Sequence, residues 1–113
     1  MSVSITLQSN FAANPQPAVL RVHTFSNSIM RNAILFYSLS SDITLSIEIV
    51  ALVTPDQPIK RLMLIQGNSG GRTGENRVLW DGRTQAGVKV GPGTYIARFM
   101  VHSTVIEKCT FRF

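Results

Sequence analysis

The chain has 113 residues, of which 44% are apolar and only 15% are charged. This length suits one domain with its own core, and the apolar content excludes an intrinsically disordered chain. The formal net charge of +5 comes from cations scattered along the chain, with only Lys60 and Arg61 adjacent, which excludes a basic nucleic-acid-binding tract and predicts a solvated basic surface.

The first element in chain order is a strand-like segment at residues 3–7. Val3, Ile5 and Leu7 alternate with Ser4 and Thr6, which is the period of a half-buried strand. Residues 12–17 contain two prolines, which cannot donate hydrogen bonds to a sheet, so they predict a break. We therefore divide the chain into an N-terminal strand with a proline-rich break, 1–18, and one folded unit, 19–113.

The same period of two continues through the folded unit, and no helical period appears. Alternating apolar faces predict strands at 20–23, 35–39 and 44–51, while Val50 and Leu52 interrupt the alternation and indicate a bulge or a covered second face. The remaining predictions are a proline-marked connection at 54–58, a short edge or sheet-switching strand at 61–65, a glycine-rich flexible loop at 66–74, strands at 77–80 and 94–101, and a final hairpin that turns at 102–104 and ends at 113.

This arrangement predicts an all-β fold, an antiparallel β-sandwich of seven to eight strands. In the strand at 94–101 we expect Tyr95, Ala97, Phe99 and Val101 to face the core.

The segment between Trp80 and Tyr95 carries the most local information. A strand ends on the tryptophan, and Asp81-Gly82 suits a turn that needs positive φ. Gly87 permits a second reversal and Pro92-Gly93 a third, before the tyrosine opens a new strand. The two aromatic residues are expected to anchor this loop against the core. The predicted structural signature is Trp80, Asp81, Gly82, Gly87, Gly93 and Tyr95.

This segment resembles the immunoglobulin-like domain of flagellar hook-capping proteins, in its Trp-Asp-Gly, its following Gly and its Val-x-x-Gly-x-Tyr ending. Related modules occur in secreted bacterial enzymes and surface proteins. The resemblance implies an immunoglobulin-like sandwich over about residues 19–113 and a location outside the cell or on its surface. The proline-marked connection and the N-terminal strand depart from the family pattern and leave the strand pairing open.

Residues capable of catalysis or metal binding are sparse. The carboxylates show no paired acid/base spacing, and His23 and His102 each stand alone. Cys109 is the sole cysteine, so it has no internal disulfide partner, and we interpret it as a small buried residue. We expect no enzyme, no metal and no cofactor.

The leading hypothesis is a non-catalytic structural or interaction module that binds a protein partner or itself. Its candidate surface is a basic patch on the last hairpin, formed by Arg98, His102, Lys108 and Arg112. One alternative is a self-assembling subunit in which residues 3–7 pair with a neighbour's sheet, with the apolar strand at 62–65 as acceptor. Another is a polyanion-binding module that uses the basic patch.

Two negative expectations concern membranes. The chain contains no apolar run of the roughly 20 residues that a spanning helix needs, so membrane insertion is not expected. It also does not open with the basic and then apolar segments of a secretory signal peptide. Two interpretations stay open: a mature or excised domain with an added Met, or export by a route without a cleaved signal. The second is what the resemblance to hook-capping proteins implies.

Overall fold

The computed structural model describes residues 18–27 and 32–113, and the predicted strand at residues 3–7 lies outside them. Every regular element in these ranges is a strand. Accordingly, no helix in the described part has the length and apolar content needed to cross a membrane. The strands are β1 (Val19–Asn27), β2 (Asn32–Leu39), β3 (Leu45–Ala51), β4 (Thr54–Leu64), β5 (Gly74–Trp80), β6 (Thr94–Val101) and β7 (Thr104–Arg112).

The strands form two antiparallel sheets, which confirms the all-β, sandwich-like prediction. One sheet has the order β1-β2-β5 and the other has the order β4-β3-β6-β7. Aromatic rings meet between the sheets, with Tyr37 of β2 edge-on to Phe99 of β6 at a centroid distance of 4.9 Å. Side chains of alternate residues therefore meet between the sheets and exclude water, which is the main driving force for this fold.

The alternation predicted for the core faces is confirmed. In β2, Leu35, Tyr37 and Leu39 are buried, and in β6 Tyr95, Ala97 and Phe99 are buried, with Val101 partly buried at the end of the strand. β3 interrupts this alternation as predicted. Its register shifts between Ile49 and Ala51, and Val50 is fully buried on the opposite face.

The connection predicted at residues 54–58 is wrong, because these residues begin β4. β3 and β4 form a tight hairpin in which Ala51 pairs with Thr54. Pro55 and Pro58 are tolerated because β4 is an edge strand, where a missing N–H need not remove a ladder hydrogen bond. A second difference concerns the strand predicted at 20–23, which is longer in the structure and forms β1 from Val19 to Asn27.

The glycine-rich loop between β4 and β5 is held to the body at three points. The buried Tyr37 hydroxyl donates to the Gly70 carbonyl at 2.7 Å, and burial raises the pKa of that hydroxyl. Gly71 passes so close to the backbone that an added Cβ would clash with the carbonyl oxygens of Ile65 and Ile43. Asp42 accepts from the Thr73 N–H and hydroxyl, and these bonds lower the pKa of its carboxyl group.

Candidate interaction surfaces

The loop between Trp80 and Tyr95 closes on itself through short-range hydrogen bonds. Asp81 accepts from the Arg83 N–H at 3.1 Å, which is the turn role predicted for it. Gly82 has φ of 73° and Gly87 has φ of 87°, values that L-residues with a Cβ rarely adopt. Between these turns, Arg83 and Lys89 form an isolated antiparallel bridge. The loop is therefore a small, internally braced unit.

An aromatic cluster fixes this loop to the four-stranded sheet. Trp80 is 1% exposed, and its Nε1–H donates to the Arg83 carbonyl at 2.9 Å. Its ring stacks on the ring of Phe113 at a centroid distance of 5.4 Å and contacts the rings of Tyr95 and Phe111 edge-on. The Tyr95 hydroxyl donates to the Gly91 carbonyl, four residues earlier in the chain. Both aromatic residues lie against the core, as expected, and Gly93 accepts from the Phe113 N–H at 3.0 Å.

The predicted basic patch is only partly assembled. Arg98 lies directly opposite Lys108 across β6 and β7. His102 instead lies in the β6–β7 turn, beyond the end of the ladder. Arg112 lies at the other end of β7, where its guanidinium donates to the Thr94 hydroxyl at 3.1 Å. Two of the four residues are therefore neighbours, while the other two are separated along the hairpin.

Arg98 also forms an ion pair with an acidic residue, Glu48, on the adjacent strand β3. Glu48 is 4% exposed, lies between Arg61 and Arg98 on the adjacent strands and forms an ion pair with each. Hydrogen bonding to Arg61 and then the charges of both arginines lower the pKa of Glu48, although burial opposes them. Glu48 therefore offsets part of the charge of Arg98, and it shares its own charge with Arg61.

The outer face of the three-stranded sheet carries an apolar row that sequence analysis did not identify. Phe25 lies opposite Ile34, and Ile34 lies opposite Leu79, so the three form a line across β1, β2 and β5. Phe25 is 65% exposed and Leu79 is 58% exposed. In sequence the three residues lie on separate strands, and only the register brings them together. The sequence signal that could have identified this row lies in β2, where apolar residues occur on both faces of the strand.

The neighbouring row on this face adds aromatic and basic groups. His23 stacks on Phe36 at 4.9 Å with an interplanar angle of 16°, and Phe36 lies opposite Arg77. Beyond them, the Arg21 guanidinium lies 3.9 Å from the Glu75 carboxylate in an exposed ion pair. We call the five residues Phe25, Ile34, Leu79, His23 and Phe36 the apolar face.

The second half of β4 forms an exposed sheet edge. Gln85 covers the middle of the strand, since its N–H donates to the Ile59 carbonyl and its side-chain oxygen accepts from the Arg61 N–H. Met63 and Ile65, further along, are 61% and 53% exposed. An open groove of about 1150 Å³ adjoins this edge, with Ser46, Met63 and Met100 in its lining.

A further kind of functional site is one at which several side chains bind a metal ion together. Among the described residues, no cluster of three or more His, Cys, Asp or Glu side chains is placed to hold a metal ion. Cys109 is half-buried, with its Sγ 3.0 Å from the Thr24 hydroxyl. Comparisons with protein families, with characterised proteins and with solved structures found no match to this chain.

Proposed function

We propose that this chain is a non-catalytic, immunoglobulin-like module that binds a protein partner through the apolar face, as part of an extracellular or cell-surface assembly. The observation that carries the proposal is the row formed by Phe25, Ile34 and Leu79, in which Ile34 is half-buried and the two outer residues are exposed. An antiparallel sheet with one face in water normally places polar residues on that face.

The strand order supports the immunoglobulin-like part of the proposal. In constant-type immunoglobulin domains, strands one, two and five share a sheet with strand four, and strands three, six and seven form the other sheet. Here strands one, two and five share a sheet and strands three, six and seven share the other, with the fourth joined to the second sheet. Only the fourth strand, at the edge, belongs to a different sheet from its counterpart in constant-type domains.

The contact of Tyr95 gives independent support. Immunoglobulin-like domains carry a tyrosine near the start of the sixth strand, whose hydroxyl bonds to backbone a few residues upstream. Tyr95 is the second residue of β6, and its hydroxyl donates to the carbonyl of Gly91. This bond ties the loop from β5 to the start of β6.

The composition of the apolar face indicates what kind of partner it fits. Burying Phe25 and Leu79 would remove two large apolar side chains from water, the main source of affinity in protein interfaces. Arg77 borders the face opposite Phe36, and Arg21 borders it at the end of the sheet. A partner with apolar side chains surrounded by carboxylates would complement both features.

The extracellular part of the proposal comes from the Trp80–Tyr95 segment and its resemblance to hook-capping and secreted modules. A rigid sandwich with a braced loop suits such assemblies, because it presents its surfaces without a change of shape. The mechanism is therefore binding by a preformed surface.

The test is affinity capture from the surface fraction and culture medium of the source organism, followed by measurement with the purified partner. We expect the Phe25→Ser/Leu79→Ser double variant to remain folded, because both side chains are more than half exposed. It should bind at least about tenfold more weakly, as expected when central apolar contacts are lost.

The matched control replaces exposed apolar residues outside the apolar face. Val53 is 87% exposed and Val88 is 63% exposed, both between strands. The Val53→Ser/Val88→Ser variant should capture the partner as well as the wild type does. Equal binding by the wild type and by the Phe25→Ser/Leu79→Ser variant would contradict the proposal.

A further inference from the structure

Strand β1 contains a bulge at which an arginine takes a backbone conformation that favours glycine. Leu20 pairs with Ser38 and His23 pairs with Phe36, so two residues of β1 face the one residue between them on β2. Arg21 lies in this bulge with φ of 51°, where a Cβ is strained against the backbone and glycine is not. Strain of this kind is characteristic of functional sites. An arginine at such a position therefore points to a role for its side chain.

The Arg21 side chain borders a small pocket on the outer face of the three-stranded sheet. Its Nη2 donates to the Ser38 hydroxyl at 3.2 Å, and Ser38 is only 5% exposed, so a buried group anchors the guanidinium. The pocket has a volume of about 210 Å³, and its lining includes Arg21, His23, Phe36, Ser38 and Glu75. This volume is smaller than that of pockets for drug-sized molecules, and it suits a single side chain. We call it the Arg21 pocket.

Glu75 is the acidic residue that lines the Arg21 pocket, and its contact with Arg21 is weak. The Glu75 carboxylate lies 3.9 Å from Nη2, and the Glu75 and Arg21 side chains are 84% and 76% exposed, so water screens their attraction. Ser38 and Glu75 both approach Nη2, and within the described residues no further hydrogen bond or ion pair involves this guanidinium. Its Nε and Nη1 donors therefore remain for a ligand.

The outer face around this pocket carries more positive than negative charge. Arg77 lies two residues from Glu75 on β5, so both side chains point to the same side of the sheet. Arg21 and Arg77 thus border a single carboxylate, and this arrangement favours an anion that accepts paired hydrogen bonds from a guanidinium. In a protein partner, the carboxylate of an aspartate or glutamate has that geometry.

We infer that the Arg21 pocket binds a carboxylate side chain of the protein partner, which displaces Glu75 from Arg21. The inference rests on the proposed function, because the partner's apolar side chains would occupy the apolar face beside the pocket. A partner that covers the pocket excludes the water that weakens the contact with Glu75, so its own carboxylate binds the guanidinium more strongly. Glu75 is therefore an internal competitor for Arg21.

The register of the sheet fixes the distance between the partner's carboxylate and its apolar contacts. Ile34, in the centre of the apolar row, and Ser38, which lines the pocket, are four residues apart on β2 and face the same side. This separation is about 13 Å in a strand. An extended partner segment with an apolar and an acidic residue four positions apart presents both side chains with the same spacing.

The experiment is an NMR titration of the isotope-labelled chain with matched probes. The Glu peptide is acetyl-Leu-Ser-Thr-Ser-Glu-amide, the Gln peptide has Gln in place of Glu, and N-acetyl-glutamate amide lacks the apolar residue. The Glu peptide should shift the resonances of the Arg21 side-chain N–H and the Ser38 amide. The Gln peptide should bind at least about tenfold more weakly, because hydrogen bonds to a charged group are lost. N-acetyl-glutamate amide should also bind more weakly, because it does not reach the apolar face.

Variants of the pocket separate recognition from folding. Glycine adopts the φ of the bulge without a clash, so Arg21→Gly should stay folded and bind the Glu peptide at least about tenfold more weakly. Glu75→Gln removes the internal competitor and should tighten binding by about twofold or more. The matched control is Arg72→Ala, at an exposed arginine between β4 and β5, which should bind the Glu peptide as the wild type does.

The inference would be overturned by the absence of Glu-peptide binding, by equal binding of the Glu and Gln peptides, or by unchanged binding in Arg21→Gly. Binding that Glu75→Gln fails to tighten would contradict the displacement of Glu75. N-acetyl-glutamate amide that binds as tightly as the Glu peptide would also overturn the inference, because the pocket would then recognise a free carboxylate and not a partner.

The Phe25→Ser/Leu79→Ser variant distinguishes failure of this inference from failure of the proposed function. Loss of binding to the captured partner by that variant, together with wild-type binding by Arg21→Gly, would support the proposed function and overturn the inference. Loss of binding by Arg21→Gly alone would contradict the apolar face as the binding surface and support the carboxylate site.

Discussion

Glu48 lies on β3, an inner strand of the four-stranded sheet, with Arg61 opposite it on β4 and Arg98 opposite it on β6. Arg61 and Arg98 both donate to its carboxylate, and only 4% of Glu48 is exposed. A buried carboxylate is tolerated when hydrogen bonds and opposite charges replace its lost hydration. The lowered pKa of Glu48 means that the folded state favours the ionised carboxylate over the protonated one.

This pairing predicts a defined dependence of stability on pH. Because the folded-state pKa of Glu48 is lowered, its stabilisation is complete above the unfolded value of about 4.3 and is lost as the pH falls through the folded value. Glu48→Gln should lower the free energy of unfolding at neutral pH by about 1.5–3 kcal/mol, the range for hydrogen bonds to charged groups. Urea denaturation should show this difference narrowing below about pH 4.

The control for Glu48 is Glu107, an exposed carboxylate on β7. Glu107→Gln should retain the pH dependence of the wild type. A constant stability difference between wild type and Glu48→Gln from neutral to acidic pH would contradict an ionised Glu48 as the source of stabilisation.

At the scale of single elements, the β6–β7 hairpin joins its strands through two residues in the left-handed region. His102 has φ of 51° and Ser103 has φ of 67°, while Val101 pairs with Thr104. Positive φ at both central residues characterises a type I′ turn, which suits the twist of paired strands and favours Asn-Gly. The sequence predicted a hairpin turn at residues 102–104 but not its type.

Ser103→Gly should therefore stabilise the protein. It removes a left-handed Cβ clash of about 1–2 kcal/mol, and the added freedom of glycine in the unfolded chain offsets part of this gain. We expect the free energy of unfolding to rise by about 0.5–1 kcal/mol in chemical denaturation. Thr104→Gly, within β7, should instead destabilise. A less stable Ser103→Gly variant would argue against strain at this turn.

β4 shows where local sequence patterns fail at this scale. When only the neighbouring residues are considered, Pro55 and Pro58 predict a connection between strands, since proline is excluded from central strands. Whether a strand lies at an edge depends on the order of strands in the sheet, which residues 54–58 do not encode. The apolar pair Leu62 and Leu64 correctly predicted a strand, because its half-buried face follows the period of two.

For the whole molecule, the sequence predicted the fold class but not the surfaces. Alternating apolar residues and turn-forming glycines recur along the chain, and they predict antiparallel strands without knowledge of their neighbours. The apolar row and the Glu48 ion pairs each depend on the register of three strands, one of which is distant in sequence from the other two. Register is set by the packing of the complete core, so it does not appear in any local pattern.

The aromatic cluster makes the docking of the two sheets measurable. Trp80 is the sole tryptophan of the chain and belongs to β5, whereas Tyr95 and Phe111 belong to the other sheet. Fluorescence of Trp80 therefore reports contact between sheets, while far-UV circular dichroism reports the strands themselves. Since one continuous core joins the sheets, we expect both signals to change at the same denaturant concentration.

Phe113→Ala tests this coupling from the edge of the cluster. Phe113 is 9% exposed and stacks on Trp80, so its truncation should cost about 3–5 kcal/mol, as for other buried phenylalanines. Both transitions should shift together, whereas Phe25→Ala, at a residue 65% exposed, should shift them little. A fluorescence transition that precedes the loss of dichroism would mean that the aromatic end opens while the strands persist, and the two sheets would then be separate cooperative units.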